Sequence, residues 1–138
     1  MANLRKYTTS LRLILLSTLL YSCHNNNNIY YDTSKEAIVT CSGKNITSLH
    51  IVSNKADFYH FKKIPKKAGT NTFNLKNINN NYKIEDIYKE IDSKAFSLKP
   101  NTIYKVSNTS IGDAAYSEIE IRTDERSKII FSNTKSCK

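Results

Sequence analysis

Residues 96–106 have the sequence FSLKPNTIYKV, which is the most informative local pattern in this chain. Side chains alternate along a strand, so every second residue from Leu98 onward lies on the same face. Pro100 sets the backbone of a turn ahead of that strand. Tyr104 is placed to return its hydroxyl group to the backbone upstream. Leu98, Pro100 and Tyr104 therefore predict a strand that enters a sheet through a turn and is pinned there by a tyrosine.

This trio resembles the tyrosine corner of Greek-key β-sandwiches. The wider segment 96–123 resembles the fibronectin type III pattern, because Gly112, Ser117 and Thr123 stand where that family often has a loop glycine, a serine and a closing threonine. The resemblance implies an immunoglobulin-like or fibronectin III-like antiparallel β-sandwich. It concerns folding and carries no information about a ligand.

The rest of the chain favours the same fold class, which is mostly β. Short apolar or alternating runs recur and are separated by turn signals, a pattern typical of β-sandwiches and barrels. In the run 117–123, Ile119 and Ile121 share one face. The predicted strands lie at residues 36–41, 46–51, 58–61, 72–75, 103–106, 117–123 and 128–131.

One segment has a different period. Ile84, Ile87, Tyr88 and Ile91 stand at i, i+3, i+4 and i+7, which is the spacing of one face of a helix. We therefore predict one short helix over 84–91, as a crossover between the sheets. A strand is the alternative for this segment.

Length and composition limit the classes of protein. A chain of 138 residues allows one domain and is too short for a TIM barrel or a two-domain dinucleotide enzyme. With 3 Gly and 2 Pro, it is neither collagen-like nor a flexible linker. The formal net charge is +9, which favours acidic partners.

The first 22 residues read as a secretory signal peptide. Arg5, Lys6 and Arg12 form a basic segment without acidic residues, and an apolar run follows at 13–20. That run is too short for a membrane-spanning helix, which needs about 20 residues. We assign 1–22 to the signal peptide.

The end of this segment, Leu20-Tyr21-Ser22-Cys23, resembles the lipobox of bacterial lipoproteins. In that family the cysteine thiol receives a diacylglycerol, and the chain is cut immediately before it. The resemblance implies a covalent lipid on Cys23, which holds the protein to a membrane of the bacterial cell envelope through its acyl chains. An ordinary signal peptide ending in Cys, or a short membrane anchor, is the alternative.

The resemblance also divides the chain into three parts. Residues 1–22 form the signal peptide, 23–34 form a polar tether, and 35–138 form the β-sandwich domain. The tether begins with His24 and four Asn residues, a composition unsuited to a packed core. Whether the anchored domain lies on the periplasmic face or the cell surface is left open.

The cysteine count agrees with lipidation. The chain has three cysteines, an odd number that would leave one unpaired thiol outside the cell. If Cys23 carries lipid, Cys41 and Cys137 can pair in an oxidising compartment. That bridge would close a loop of about 95 residues, for which chain entropy gives roughly 4–5 kcal/mol. Two free cysteines are the alternative.

The sequence predicts no catalytic or metal site. It lacks the nucleophile-elbow, zinc-protease, phosphate-loop and dinucleotide motifs. His50, Asp57 and His60 could be imagined as metal ligands, but they lie in separate predicted segments, which favours solvated or hydrogen-bonded roles. Glu118 and Glu120 share a face of one strand, which favours an exposed polar edge over a carboxylate pair. Apart from the lipid, no cofactor is expected.

A basic contact patch surrounds Pro65 and consists of Lys62, Lys63, Lys66 and Lys67. Such a cluster suits an acidic protein or anionic lipid, or is simply a solvated loop. Export of the chain and the lack of interleaved aromatic residues argue against nucleic acid.

These observations favour a non-catalytic binding or structural module, anchored in the envelope, with a protein or glycan partner. The alternative is a protective, immunity-type lipoprotein that blocks a toxin or a hydrolase. A small envelope hydrolase is a third hypothesis, which requires His50 and His60, or Glu118 and Glu120, to line one cleft.

Overall fold

The computed structural model describes residues 27–110 and 117–137. The signal segment 1–22, the lipidation candidate Cys23 and the first residues of the predicted tether lie outside these ranges. So does Gly112 of the fibronectin-like pattern.

Strands dominate the described residues, which confirms the prediction of a mostly β fold. Each strand is short and most alternate buried with exposed positions, as expected when one face of a sheet is covered. The strands are β1 (Ile29–Asp32), β2 (Ala37–Thr40), β3 (Ser48–Ser53), β4 (Phe58–Lys63), β5 (Thr72–Phe73), β6 (Tyr82–Glu85), β7 (Glu90–Ile91), β8 (Ile103–Thr109), β9 (Ser117–Thr123) and β10 (Ile129–Ser132).

The strands form two antiparallel sheets. The smaller has the order β1-β2-β5, and the larger has the order β10-β9-β8-β3-β4-β6-β7. The neighbours β9-β8-β3 reproduce the G-F-C order of immunoglobulin-like sandwiches, in which the tyrosine corner leads into strand F. The predicted β-sandwich is confirmed.

The core lies between the two sheets. Tyr104 and Val106 of β8 face the same way as their cross-strand partners Ile121 and Ile119 on β9, and all four are buried. Across the sandwich, the rings of Phe61 and Phe73 meet edge to face, with centroids 5.4 Å apart. Aromatic pairs of this geometry add stability beyond the apolar area that they bury.

The helix predicted over 84–91 is wrong. Ile84 and Ile91 are cross-strand partners in the β6–β7 hairpin, so they share a face just as the first and last positions of the helical pattern would. Asp86 makes the turn, because its Oδ1 accepts hydrogen bonds from the amides of Tyr88 and Lys89. Among the residues described, there is also no helix with the length and hydropathy needed to cross a bilayer.

Strand β1 lies within the segment that we assigned to the tether. Ile29 and Tyr31 are buried on the core side of the small sheet, and the backbone of β1 pairs with β2 over its whole length. The sheet therefore begins at Ile29, six residues before residue 35. The apolar residues Ile29 and Tyr31 explain why this polar-looking stretch packs.

We call the end of the sandwich at which β1 begins the entry end. It comprises residues 27–28 and the segments 41–47, 64–71, 77–81 and 133–137. Backbone hydrogen bonds hold these segments side by side: Cys41 N donates to Asn28 O at 2.8 Å, Ile46 N to Thr70 O at 2.8 Å, and Ile64 N to Asn81 O at 2.8 Å.

The opposite end, which we call the far end, comprises the segment 99–102, which leads into β8, and four hairpin turns. The turns lie at residues 33–36, 54–57, 86–89 and 124–128, between β1 and β2, β3 and β4, β6 and β7, and β9 and β10. The far end is therefore built mainly from tight turns, whereas the entry end is built from longer connecting segments.

The last residues, 133–137, form a strap from the large sheet to the small one. Asn133 N donates to Glu120 O at 3.1 Å on β9, and Tyr31 N donates to Thr134 O at 3.0 Å on β1. The strap ends where Cys137 meets Cys41, whose Cα atoms are 5.5 Å apart with the sulfur atoms at bonding distance. These two cysteines are thus a disulfide-capable pair.

Candidate binding face

The outer face of the seven-stranded sheet carries an unusual set of side chains. The alternation that buries Leu49, Ile51 and Phe61 turns the residues between them away from the core. On β3 and β4 the outward pairs are Val52 with Phe58 and His50 with His60. Two histidines and two apolar side chains therefore lie together on the surface.

The two histidines are in direct contact. Their ring centroids are 4.3 Å apart, and His50 also stacks on Phe58 at 5.8 Å. Ser48 Oγ lies 2.8 Å from His60 Nε2, and Glu85 Oε2 lies 3.9 Å from His60 Nδ1. Both rings are therefore held in place by neighbouring strands.

Burial lowers the pKa of both histidines below the ordinary 6.5. For His60, the adjacent His50 lowers the pKa further, whereas the Glu85 carboxylate opposes the shift. Because the ordinary value already lies below pH 7, the pair is neutral at that pH. At neutral pH this part of the face is therefore aromatic and uncharged.

Ser48, His60 and Glu85 stand in the order of a serine-hydrolase triad. The 3.9 Å between His60 Nδ1 and Glu85 Oε2 exceeds hydrogen-bond length. Ser48 lies on β3, a central strand whose backbone pairs with both β4 and β8, so that strand offers no free pair of amides for an oxyanion. The contact with Ser48 orients the ring of His60.

A depression lies at the far end of this face, between the β3–β4 and β6–β7 turns. Its volume is about 150 Å³, which is smaller than the roughly 300–1,000 Å³ of pockets that enclose a drug-sized ligand. A space of this size holds one side chain or one sugar ring. Its lining residues are Ala56, Asp57, Phe58, Tyr59, Asp86, Ile87 and Tyr88.

The β6–β7 turn presents its apolar residues to solvent. The exposed fraction of Ile87 is 62%, and that of Tyr88 is 90%. Phe58 lines the same depression and connects the turn to the histidine pair. We define the binding face as the continuous surface made by His50, Val52, Phe58, His60, Ile87 and Tyr88.

Asp57 borders the binding face, but both of its carboxylate oxygens already accept hydrogen bonds from neighbouring side chains. Its Oδ1 accepts a hydrogen bond of 2.6 Å from Lys99 Nζ, and its Oδ2 accepts one of 2.9 Å from Ser53 Oγ. The bond from Lys99 is the main reason that the pKa of Asp57 is lowered. Asp57 thus does not join His50 and His60, and the described residues contain no group of three His, Cys, Asp or Glu placed to hold a metal.

The residues of the predicted tyrosine corner lie at the far end and inside the core. The Tyr104 hydroxyl accepts a hydrogen bond of 2.6 Å from the backbone amide of Lys99. Leu98 is buried, and the carbonyl of Pro100 accepts from Thr102 Oγ1 at 2.8 Å. Burial raises the pKa of Tyr104, so the phenol stays protonated and serves structure.

Glu118 and Glu120 lie on the outer face of β9, each with its own partner. Glu118 Oε1 is 3.4 Å from Lys105 Nζ, and Glu120 Oε1 is 2.8 Å from Arg122. They are separated from the histidine pair by strand β8. The structure therefore does not bring the carboxylates and the histidines into one site.

The basic contact patch lies at the entry end. Lys62 and Lys63 end β4, and Lys66 and Lys67 belong to the loop that follows. Lys63 Nζ donates to Lys67 O at 3.1 Å, which ties the loop to the strand. The patch is thus remote from the β6–β7 turn, with its depression and exposed apolar residues.

The sequence alone did not reveal several contributors to the binding face and its surroundings, among them Ser48, Glu85 and Tyr88. Ser48 and Glu85 join His60 only through the register of β3, β4 and β6, which no local pattern reveals. Tyr88 was assigned to an inward helical stripe. The signal that could have indicated it is Asp86, since an Asp side chain readily accepts hydrogen bonds from backbone amides two and three residues further on and so favours a turn.

No family of known proteins matches this chain, and no curated protein or solved structure shows significant similarity to it.

Proposed function

We propose that this protein is a lipid-anchored lipoprotein of the bacterial cell envelope and acts as a non-catalytic binding module. Lipid on Cys23 holds it to a membrane, and the binding face contacts a protein or glycan partner of the envelope. The observation that carries the proposal is the exposed apolar turn of Ile87 and Tyr88 beside a depression on the outer sheet face.

The position of this turn supports the proposal. Asn27, where the described chain begins, is held at the entry end, because its carbonyl accepts from Asn108 Nδ2 at 2.9 Å. Ile87 and Tyr88 lie at the far end, on the other side of the sandwich along the strand axis. A domain tethered through Cys23 therefore presents this turn away from its anchor.

The side chains of the binding face are of the types that recognise a partner. Aromatic side chains and apolar residues are enriched in the centre of protein interfaces, and aromatic rings also stack on other flat groups. Exposed apolar residues in contact with one another mark interaction sites more often than single ones do.

The anchor is tested by the intact mass of protein purified from its own membrane fraction. We expect a chain that begins at Cys23 and carries acyl mass, with no alkylatable thiol until reductant is added. A chain that begins elsewhere, or that carries free thiols and no lipid, would remove the lipoprotein proposal.

The binding face is tested by a photo-crosslinking amino acid at position 88 in living cells. We expect a discrete adduct that disappears when Ile87→Ser is added. The matched control places the crosslinker at Ile130, which is 64% exposed on the edge strand β10. Equal adducts at both positions, or none at position 88, would refute a specific contact.

The identity of the adduct separates the two binding hypotheses. A resident protein or glycan of the envelope agrees with the accessory module. A secreted toxin or lytic enzyme agrees with a protective, immunity-type lipoprotein instead.

A further inference from the structure

The entry end carries a concentration of positive charge. The segments that compose it, together with the last residues of β4, contribute six lysines: Lys44, Lys62, Lys63, Lys66, Lys67 and Lys135. None of the salt bridges among the described residues involves Lys62, Lys63, Lys66 or Lys67. Their charge is therefore available to an external partner.

Acidic residues are segregated to the other end. The entry-end segments 27–28, 41–47, 64–71, 77–81 and 133–137 contain no Asp or Glu. The far-end turns, with the residues that flank them, hold most of the acids, which are Asp32, Glu36, Asp57, Asp86, Glu90, Asp124 and Glu125. The entry end is thus positive, whereas the acids of the far-end turns are balanced by basic residues of the same turns, such as Lys35, Lys55 and Lys128.

The positive end of the sandwich is also the end nearest to the proposed lipid anchor. Cys23 precedes Asn27 by four residues, and four extended residues span at most about 14 Å. This upper limit is less than two Debye lengths, each about 8 Å at physiological ionic strength. A lipid on Cys23 would therefore keep the entry end, which carries these lysines, close to the membrane surface.

We propose that the entry end docks on the anionic lipid headgroups of the membrane that holds Cys23, through Lys62, Lys63, Lys66 and Lys67. This inference rests on the proposed lipid anchor. Lysine clusters next to a membrane anchor are attracted by anionic headgroups and add to the hold of the acyl chains. Docking also sets orientation: the sandwich stands on its entry end, with the Ile87–Tyr88 turn outermost.

The test uses the purified lipoprotein in two kinds of vesicle, phosphatidylcholine alone and phosphatidylcholine mixed with phosphatidylglycerol. A water-soluble amine reagent acetylates the lysines, and peptide mass spectrometry gives the rate at each one. We expect Lys62, Lys66 and Lys67 to react about fivefold more slowly in the anionic vesicles. Raising the ionic strength to about 1 M, where the Debye length is about 3 Å, should restore their rates.

Far-end lysines are the internal control. Lys35, Lys55, Lys89 and Lys128 each lie in one of the four hairpin turns and should react at the same rate in both vesicles. Replacing all four by Gln should leave the protection of Lys135 unchanged. Replacing Lys62, Lys63, Lys66 and Lys67 by Gln, which removes the same charge, should abolish it.

Three outcomes overturn the inference. The first is equal rates for the entry-end lysines in the two vesicles, and the second is equal protection of both ends. The third is protection by soluble heparin without protection by anionic vesicles, which would assign the patch to a polyanion. The same digest contains the N-terminal peptide, so its acyl mass shows separately whether the anchor on Cys23 exists.

Discussion

Ser48 Oγ and His60 Nε2 are 2.8 Å apart on neighbouring strands, and the ring of His50 lies against that of His60, with centroids 4.3 Å apart. This contact holds a neutral histidine pair in the middle of the proposed binding face. Because the pKa of each histidine is lowered in the folded protein, the unfolded chain binds more protons just below the ordinary value of 6.5.

The first prediction concerns stability against pH. The free energy of unfolding should be highest above pH 6.5, should fall as the pH drops through the folded pKa values of His50 and His60, and should then level off. Urea unfolding between about pH 7.5 and pH 5 measures this. The carboxylate of Asp57 titrates below its ordinary 3.8 and acts in a separate, more acidic window.

The control is the double variant His50→Gln, His60→Gln. It should lose most of the pH dependence in this window while keeping a cooperative transition. A variant that retains the slope of the native protein would show that the histidine pair is not its source.

The second prediction concerns the tyrosine at the entry to β8. In Tyr104→Phe the amide of Lys99 loses its acceptor next to a buried ring, which should lower the free energy of unfolding by about 1–3 kcal/mol. Urea denaturation measures the change. Tyr88→Phe, at a side chain that is 90% exposed, should change it by less than about 0.5 kcal/mol. Equal effects of the two substitutions would contradict a structural role for the Tyr104 hydroxyl.

The third prediction concerns the cysteine pair. Cys41 and Cys137 are separated by 96 residues in sequence, and closing a loop of this length should contribute roughly 4–5 kcal/mol through the unfolded state. The double variant Cys41→Ser, Cys137→Ser should unfold at a correspondingly lower urea concentration, and reductant should have no effect on it. If reductant also leaves the midpoint of the native protein unchanged, the pair is not bonded in solution.

The fourth prediction concerns a strained turn. Ala56 has φ of 66° in the β3–β4 hairpin, a conformation that costs a residue with a Cβ atom about 1–2 kcal/mol. Glycine removes this strain but loses more entropy on folding, so Ala56→Gly should stabilise the protein by about 0.5–1 kcal/mol. The exposed Ala68 has no such angle, and Ala68→Gly should not stabilise. Thermal unfolding compares the two, and a gain at both positions would count against the strain.

Local sequence patterns were sufficient to predict most strands. They did not reveal the surface that neighbouring strands form together. The alternation around Ile119 and Ile121 indicates directly which residues are buried, because a strand in a sandwich has one face in the core and one in solvent. The segment of Ile84 and Ile91 is ambiguous: partners across a short hairpin and neighbours two turns apart on a helix give the same spacing. Only the pairing of β6 with β4 resolves it.

Contacts between strands are set by register, which local patterns do not contain. His50 and His60 are ten residues apart and were not expected to touch, but the β3–β4 pairing places them directly opposite each other. The lysines of the basic patch are neighbours in sequence and were visible. Their position at the entry end depends on the direction in which β4 runs through the sheet. Local sequence patterns do not give that direction.

The strap of residues 133–137 has a mechanical consequence. A pull on the chain ahead of Asn27 acts along β1, whose bonds to β2 and to Thr134 lie side by side across the direction of the pull. These hydrogen bonds are all stretched at the same time, so they cannot break one after another. A Cys41–Cys137 bond would hold the strap and β2 together while β1 bears the force. The first strand is thus loaded in shear, the geometry in which a short strand resists extraction best.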